Sequence, residues 1–245
     1  MRSFVPSPPI LDSAPARERL RAVAGALEQL GAPPETCTGA PLDTGWGSGT
    51  PPLERGAVHE WFDNGPPLGL LGALSRRLSG GRTVWIGRDC WVHANPARPP
   101  LGRWVFVDPG SDAERLWAID QALRCPGVAC VIADGGGIDM AGSRRLQLAA
   151  RAGGTLGLLA RPPDEVRTLS AARTRWRVGP EPNPDARWYP EPRWTVELLR
   201  CKGMRPSTDA RRWVVQHCHD TGDVTLVPHA ADRRLAPTPA ALRLA

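Results

Sequence analysis

The sequence predicts an α/β fold with a mostly parallel central sheet and an antiparallel strand extension on its C-terminal side. Three observations predict it. β-rich runs alternate with helical segments between residues 56 and 160, the pattern of a doubly wound sheet. Residues 128–133 (VACVIA) are apolar without a break, as in a parallel strand covered on both faces. Beyond Pro163 the chain switches to alternating segments divided by Pro and Gly, which suits antiparallel pairing.

At 245 residues the chain can form one α/β domain with a small extension and a sizeable core. Ser13 caps a helix reaching about residue 30, with Leu20, Val23, Ala24, Leu27 and Leu30 on one face, and Gly31, Pro33 and Pro34 stop it. Residues 35–55, rich in Gly, Pro and Thr, form a lead-in loop. GAVHEWF at 56–62 is the first strand, DNGPP a loop, and the next helix carries Leu70, Leu71, Leu74 and Leu78 along one stripe. Residues 83–87 (TVWIG) and 102–107 (GRWVFV) are two further strands.

Ser111 and Glu114 have the spacing of a capping box that opens a helix through Leu123. The strand at 128–133 ends at Asp134 and three glycines, and a helix over 141–152 leads to a strand at 155–160. Segments 173–178 (RTRWRV), 193–200 (RWTVELLR) and 212–216 (RWVVQ) make the extension, with a five-proline loop at 179–192. The organisation read from this is an N-terminal helix and lead-in at 1–55, a core with basic C-terminal strands at 56–216, and a tail at 217–245.

The chain carries 31 Lys and Arg against 25 Asp and Glu, a net charge of +6, which favours polyanions or acidic partners. Only Lys202 is a lysine, and with 27 prolines and 26 glycines this skew looks like GC-rich coding. No run of about 18 apolar residues suggests a membrane span, and the N-terminus has no signal-peptide h-region. Six cysteines without a CxxC pair fit a reducing, cytoplasmic setting.

The strand, loop and helix at residues 56–79 have the layout of a phosphate-binding P-loop. A Walker A motif needs glycines to wrap the phosphates, a Lys to reach them and a hydroxyl for Mg²⁺. Here only Gly65 is present. Asp134, closing an apolar strand about 70 residues later, stands where a Walker B carboxylate would be, and Asp89 where a water-activating carboxylate can lie. Gly65 and Asp134 are thus candidates for a degenerate nucleotide site. The expectation is no catalysis, no resident cofactor and no metal, ATP with Mg²⁺ being the ligand such a layout would retain. No nucleophile elbow or HExxH appears, and His217, Cys218 and His219, adjacent in a strand, point to opposite faces.

Residues 171–212 hold ten Lys or Arg against five Asp or Glu. In a strand Arg173, Arg175 and Arg177 share one face and Trp176 the other. Arginines two residues apart recur every 6.5 to 7 Å or so, a spacing near that of phosphates on a stretched nucleic-acid strand. The row suits single-stranded DNA, an acidic protein surface, or a charged edge that guards against aggregation. Arg193, Arg200 and Lys202 extend the candidate binding set.

The order GAVHEWF, AIDQALRC, SRRLQLAARAGGTLGLLARP, AARTRWRV and RWTVELLRCKGMRP resembles the ImuA family over about residues 56–205. These are RecA-related accessory proteins of bacterial mutagenic repair cassettes, sometimes labelled SulA-like. The resemblance implies a RecA-like P-loop NTPase fold with a degenerate Walker A motif, acting in SOS-induced DNA repair and translesion synthesis. It implies RecA, a Y-family-like polymerase homologue and an error-prone replicative-type polymerase as partners, with DNA contact also linked to the family. RecA-like ATPases carry a late Lys- and Arg-bearing segment that reaches a neighbour's nucleotide, and Arg200, Lys202 and Arg205 occupy a segment of similar appearance. The chain departs from RecA in its DNGPPLG loop, its shorter lead-in and the lack of recognisable DNA-lining loops. The expected function is a non-catalytic accessory protein. The alternatives are a weak RecA-like ATPase and a protein scaffold that does not touch DNA.

Overall fold

A computed structural model describes residues 41–46, 50–63, 67–78, 80–88, 104–184, 191–204 and 212–227, together with positions 18, 22, 24 and 25, all helical. Most of the expected N-terminal helix, Gly65, Asp89, Arg205, Cys37, Cys90 and the tail from residue 228 lie outside the described residues.

The strands are β1 (Ala57–Phe62), β2 (Arg82–Ile86), β3 (Trp104–Val107), β4 (Val128–Asp134), β5 (Leu156–Arg161), β6 (Thr174–Glu181), β7 (Arg193–Cys201), β8 (Arg212–His217) and β9 (Val224–Leu226). The helices are α1 (Leu68–Arg76), α2 (Asp112–Arg124) and α3 (Met140–Gly153), with a 3-10 turn at Pro163–Arg167. All nine strands form one sheet in the order β3-β2-β4-β5-β1-β6-β7-β8-β9. The first six are parallel and the last three pair antiparallel, as the change of pattern after Pro163 predicts. No helix among the described residues is long and apolar enough to cross a membrane.

Alternation along the strands sends side chains into two cores. One face packs Cys130, Ile132, Leu156 and Leu158 against Leu70, Leu71 and Leu74 of α1. The other packs Val58, Val131 and Leu159 against Ile119, Leu123, Leu146 and Ala150 of α2 and α3. Covering both faces is what makes β4 apolar throughout. Ser111 caps α2 by accepting from the Glu114 N–H, while Glu114 returns its carboxylate to the N–H of Gly110, one residue before the cap. Asp139 caps α3 in the same way through the Gly142 N–H.

The lead-in is more than a connecting loop. Leu42 and Leu53 form a β-bridge, and between them Trp46 is buried edge-on against Trp61 and Trp176, whose rings stack 5.3 Å apart. Trp61 and Trp176 are register partners on β1 and β6. Beside them His59 is enclosed, its Nε2–H donating to the Glu54 carbonyl while Nδ1 accepts from the Thr174 hydroxyl. Burial lowers this imidazole to about 4. At the far edge, β9 extends the sheet past residue 216.

Candidate functional site

Ligands of open α/β sheets bind at the carboxyl ends of the parallel strands, where Asp134 ends β4 and Arg161 ends β5. The strand and the helix expected on either side of Gly65 are present as β1 and α1. Helix α1 begins after Pro67, without a side-chain cap and without an acidic residue in its first turn.

Asp134 is committed to protein groups. Its Oδ1 accepts from the Gly136 N–H at 2.9 Å, and its Oδ2 from Arg115 Nη1 at 2.5 Å. Arg115 also donates to the Gly136 carbonyl, so a guanidinium on α2 and the glycine turn after β4 together hold the carboxylate. A cation already neutralises the charge that would attract Mg²⁺, and the DNGPP loop offers neither lysine nor hydroxyl. These residues are a poor fit for a magnesium nucleotide.

A second charged cluster lies next to it, buried within the α2–α3 layer. Glu60 of β1 is fully enclosed, as is Arg161, which donates to Glu60 Oε1 at 2.7 Å. Arg175 of β6 donates Nε–H to Glu60 Oε2 at 2.8 Å and lies over the Phe62 ring. Ser170 adds a third donor to Glu60. Glu165 on the 3-10 turn accepts twice from Arg161 and also takes the Gly137 N–H. Burial works to lower the Arg161 pKa, but Glu60 and Glu165 outweigh it and raise it. Two glutamates and two arginines thus balance in a web, buried at Glu60, Arg161 and Arg175, that ties β1, β5, β6, the glycine turn and the 3-10 turn together.

This web corrects the expectation of an open arginine row. Arg173, Arg175 and Arg177 do share a face opposite the buried Trp176, but that face is not uniformly free. Arg175 is buried, because the 3-10 turn covers it and Glu60 of the adjacent strand demands a cation there. Arg173, just before β6, binds Glu54 and the Lys202 carbonyl. Arg177 is exposed and pairs with Glu197 on β7. Arg193 donates to Gln216 on β8, and Arg200 spans the carbonyls of Ser170 and Ala172. Lys202 is exposed at the end of β7.

Glu60 and Arg161 escape a motif-based reading of the chain. The available signal is a Glu inside the apolar strand GAVHEWF and an Arg closing LGLLAR, charges that a parallel strand buried on both faces tolerates only when paired. His217 ends β8 and its ring meets that of His219 edge-on at 5.6 Å. No group of three or more metal-capable side chains occurs among the described residues.

No family model matches the chain. A search of curated proteins finds two relatives, both named Protein ImuA, from two strains of Caulobacter vibrioides. Each is 33% identical over 199 residues, covering 72% of this chain and 80% of the relative.

Proposed function

The chain belongs to the ImuA family, and from that premise we propose that it is a non-catalytic accessory protein of damage-induced translesion mutagenesis. Family membership is the observation that carries the reading. In it, a RecA-like core with a degenerate nucleotide site docks onto RecA and onto a Y-family-like polymerase homologue, beside an error-prone replicative-type polymerase, in the cytoplasm. The parallel sheet, with a strand–loop–helix unit where a P-loop would be, supports the RecA-like assignment. The Arg115 grip on Asp134 and the lysine-free loop favour docking over turnover. Basic side chains left at the surface, Arg177 among them, supply a face for single-stranded DNA.

The test is damage-induced mutation frequency in a strain deleted for this gene. The frequency falls on deletion and returns with a plasmid copy of the wild type or of Asp134→Asn. Unchanged mutagenesis in the deletion strain overturns the reading. Rescue by the wild type but not by Asp134→Asn, together with ATP turnover by the wild type alone, replaces it with the weak ATPase.

A further inference from the structure

We propose that a groove along α3 is a docking site for an acidic, apolar-anchored peptide segment of a partner protein. This deepens the accessory role above and rests on it. The groove, of about 950 Å³, runs between α3 and residues 170–173 and reaches Glu54, Arg55 and Lys202.

Its charge is one-sided. Arg55, Arg144, Arg151, Arg173 and Lys202 line it against a single acid, Glu54, whose carboxylate is already bound by Arg173. Arg144, Arg151 and Lys202 are exposed, and their charged ends form no ion pair among the described residues. The Nε–H of Arg55 is buried without an acceptor among them.

Its apolar character is equally concentrated. Five large apolar side chains are exposed among the described residues. Met140, 44% exposed, and Leu148, 56% exposed, line the groove. Leu169 adjoins the lining residue Ser170, and Met204 lies two residues past Lys202. Met140, Arg144, Leu148 and Arg151 recur at helical spacing, so the outer face of α3 alternates apolar and cationic groups. Helix-binding grooves use such leucines and methionines as anchors between their charged groups.

The same features choose between occupants. Grooves for single-stranded nucleic acid stack bases on aromatic rings, and none of the fourteen lining residues is aromatic. Residues 1–40, with four acidic and four basic residues, and residues 228–245, with one Asp against three Arg, bring no net negative charge. A second copy brings a net charge of +6, the wrong sign for this lining. What remains is a segment of another protein with Asp or Glu beside apolar residues. Over the roughly 20 Å length of a 14-residue helix it fits as about four helical turns or six extended residues.

The test titrates the full-length protein into a fluorescein-labelled 14-residue peptide carrying Glu and Leu at helical spacing, into its scrambled isomer, and into a 20-nucleotide oligo-dT. The ordered peptide binds at least tenfold tighter than the isomer. Leu148→Ser, and Arg144→Glu with Arg151→Glu, each weaken it tenfold or more, while Leu148→Ser leaves oligo-dT affinity unchanged. All three side chains are exposed, and an unaltered circular dichroism melt certifies the fold. Equal affinity for both peptides, no peptide binding, insensitivity to these variants, or parallel loss of oligo-dT in Leu148→Ser each overturns the inference. In cells the two readings separate. Deletion that lowers mutagenesis while the Arg144→Glu, Arg151→Glu variant restores it fails the groove alone, and deletion without effect fails the accessory role.

Discussion

Glu60 and Arg175 stand opposite one another in the register of the parallel strands β1 and β6, and Arg175 Nε donates to Glu60 Oε2 at 2.8 Å. The partners are 115 residues apart in sequence, and Arg161 meets the same carboxylate from β5 on the other side of β1. One central carboxylate therefore meets cations from both flanking strands, and Glu165 supplies the second negative charge through Arg161.

Glu60→Gln leaves Arg175 without its carboxylate and Arg161 with Glu165 alone, and is expected to cost roughly 3–5 kcal/mol. Arg177→Ala breaks only the exposed pair with Glu197 and is expected to cost no more than about 1 kcal/mol. Urea unfolding of both variants checks the contrast; similar small losses would dismiss the buried web as a stabilising feature.

His59 makes stability depend on pH. Its folded pKa of about 4, set by burial, lies below the ordinary 6.5, so the unfolded chain binds the proton first. Stability is intact above pH 6.5 and declines as the pH falls toward 4, by roughly 3 kcal/mol at pH 4 from this group. Denaturation midpoints from pH 7 to 4 show a shallower decline in His59→Gln if this holds, and an identical decline if another group is responsible.

Gly153, at the end of α3, allows a close approach to α2: a Cβ there would lie 2.1 Å from the Leu123 carbonyl oxygen. Gly153→Ala must push backbone apart and is expected to cost about 3 kcal/mol. Gly179 in β6 has open space around it, so Gly179→Ala is the matched control, expected to melt within a few degrees of the wild type. Equal melting temperatures would mean that the helices separate without cost.

Single-stranded DNA binding, followed by fluorescence anisotropy, is expected to weaken steeply with salt. Arg177→Gln is expected to make the log–log salt slope shallower by about 0.7, the change for one phosphate contact fewer. Arg175 is unsuited to this test because its substitution unfolds the site it is meant to probe. Absence of binding at low salt assigns the basic surface to protein partners.

Much of the scaffold is legible in the chain. The unbroken apolar run 128–133 announces a strand covered on both faces, Ser111 and Glu114 announce the start of α2, and the DNGPP stretch visibly lacks a lysine. These signals are local: propensity, capping and periodicity act over a few residues, and composition alone settles the missing lysine. The short strand β9 carries too few residues to show a period, and the lead-in loop hides a tryptophan that only the stacked pair Trp61–Trp176 explains.

The roles of the charged residues were decided by tertiary structure. Arg173, Arg175 and Arg177 are equivalent as a string, yet Arg175 is buried, Arg177 is exposed and Arg173 bridges Glu54 to the end of β7. Asp134, at the end of β4, is met by Arg115 from α2, a contact that no pattern around Asp134 announces. The reason is physical: a charge takes its function from its surroundings, and the fold brings those surroundings from 19 residues away for Asp134 and from more than a hundred for Arg173 and Arg175, beyond the reach of any local pattern.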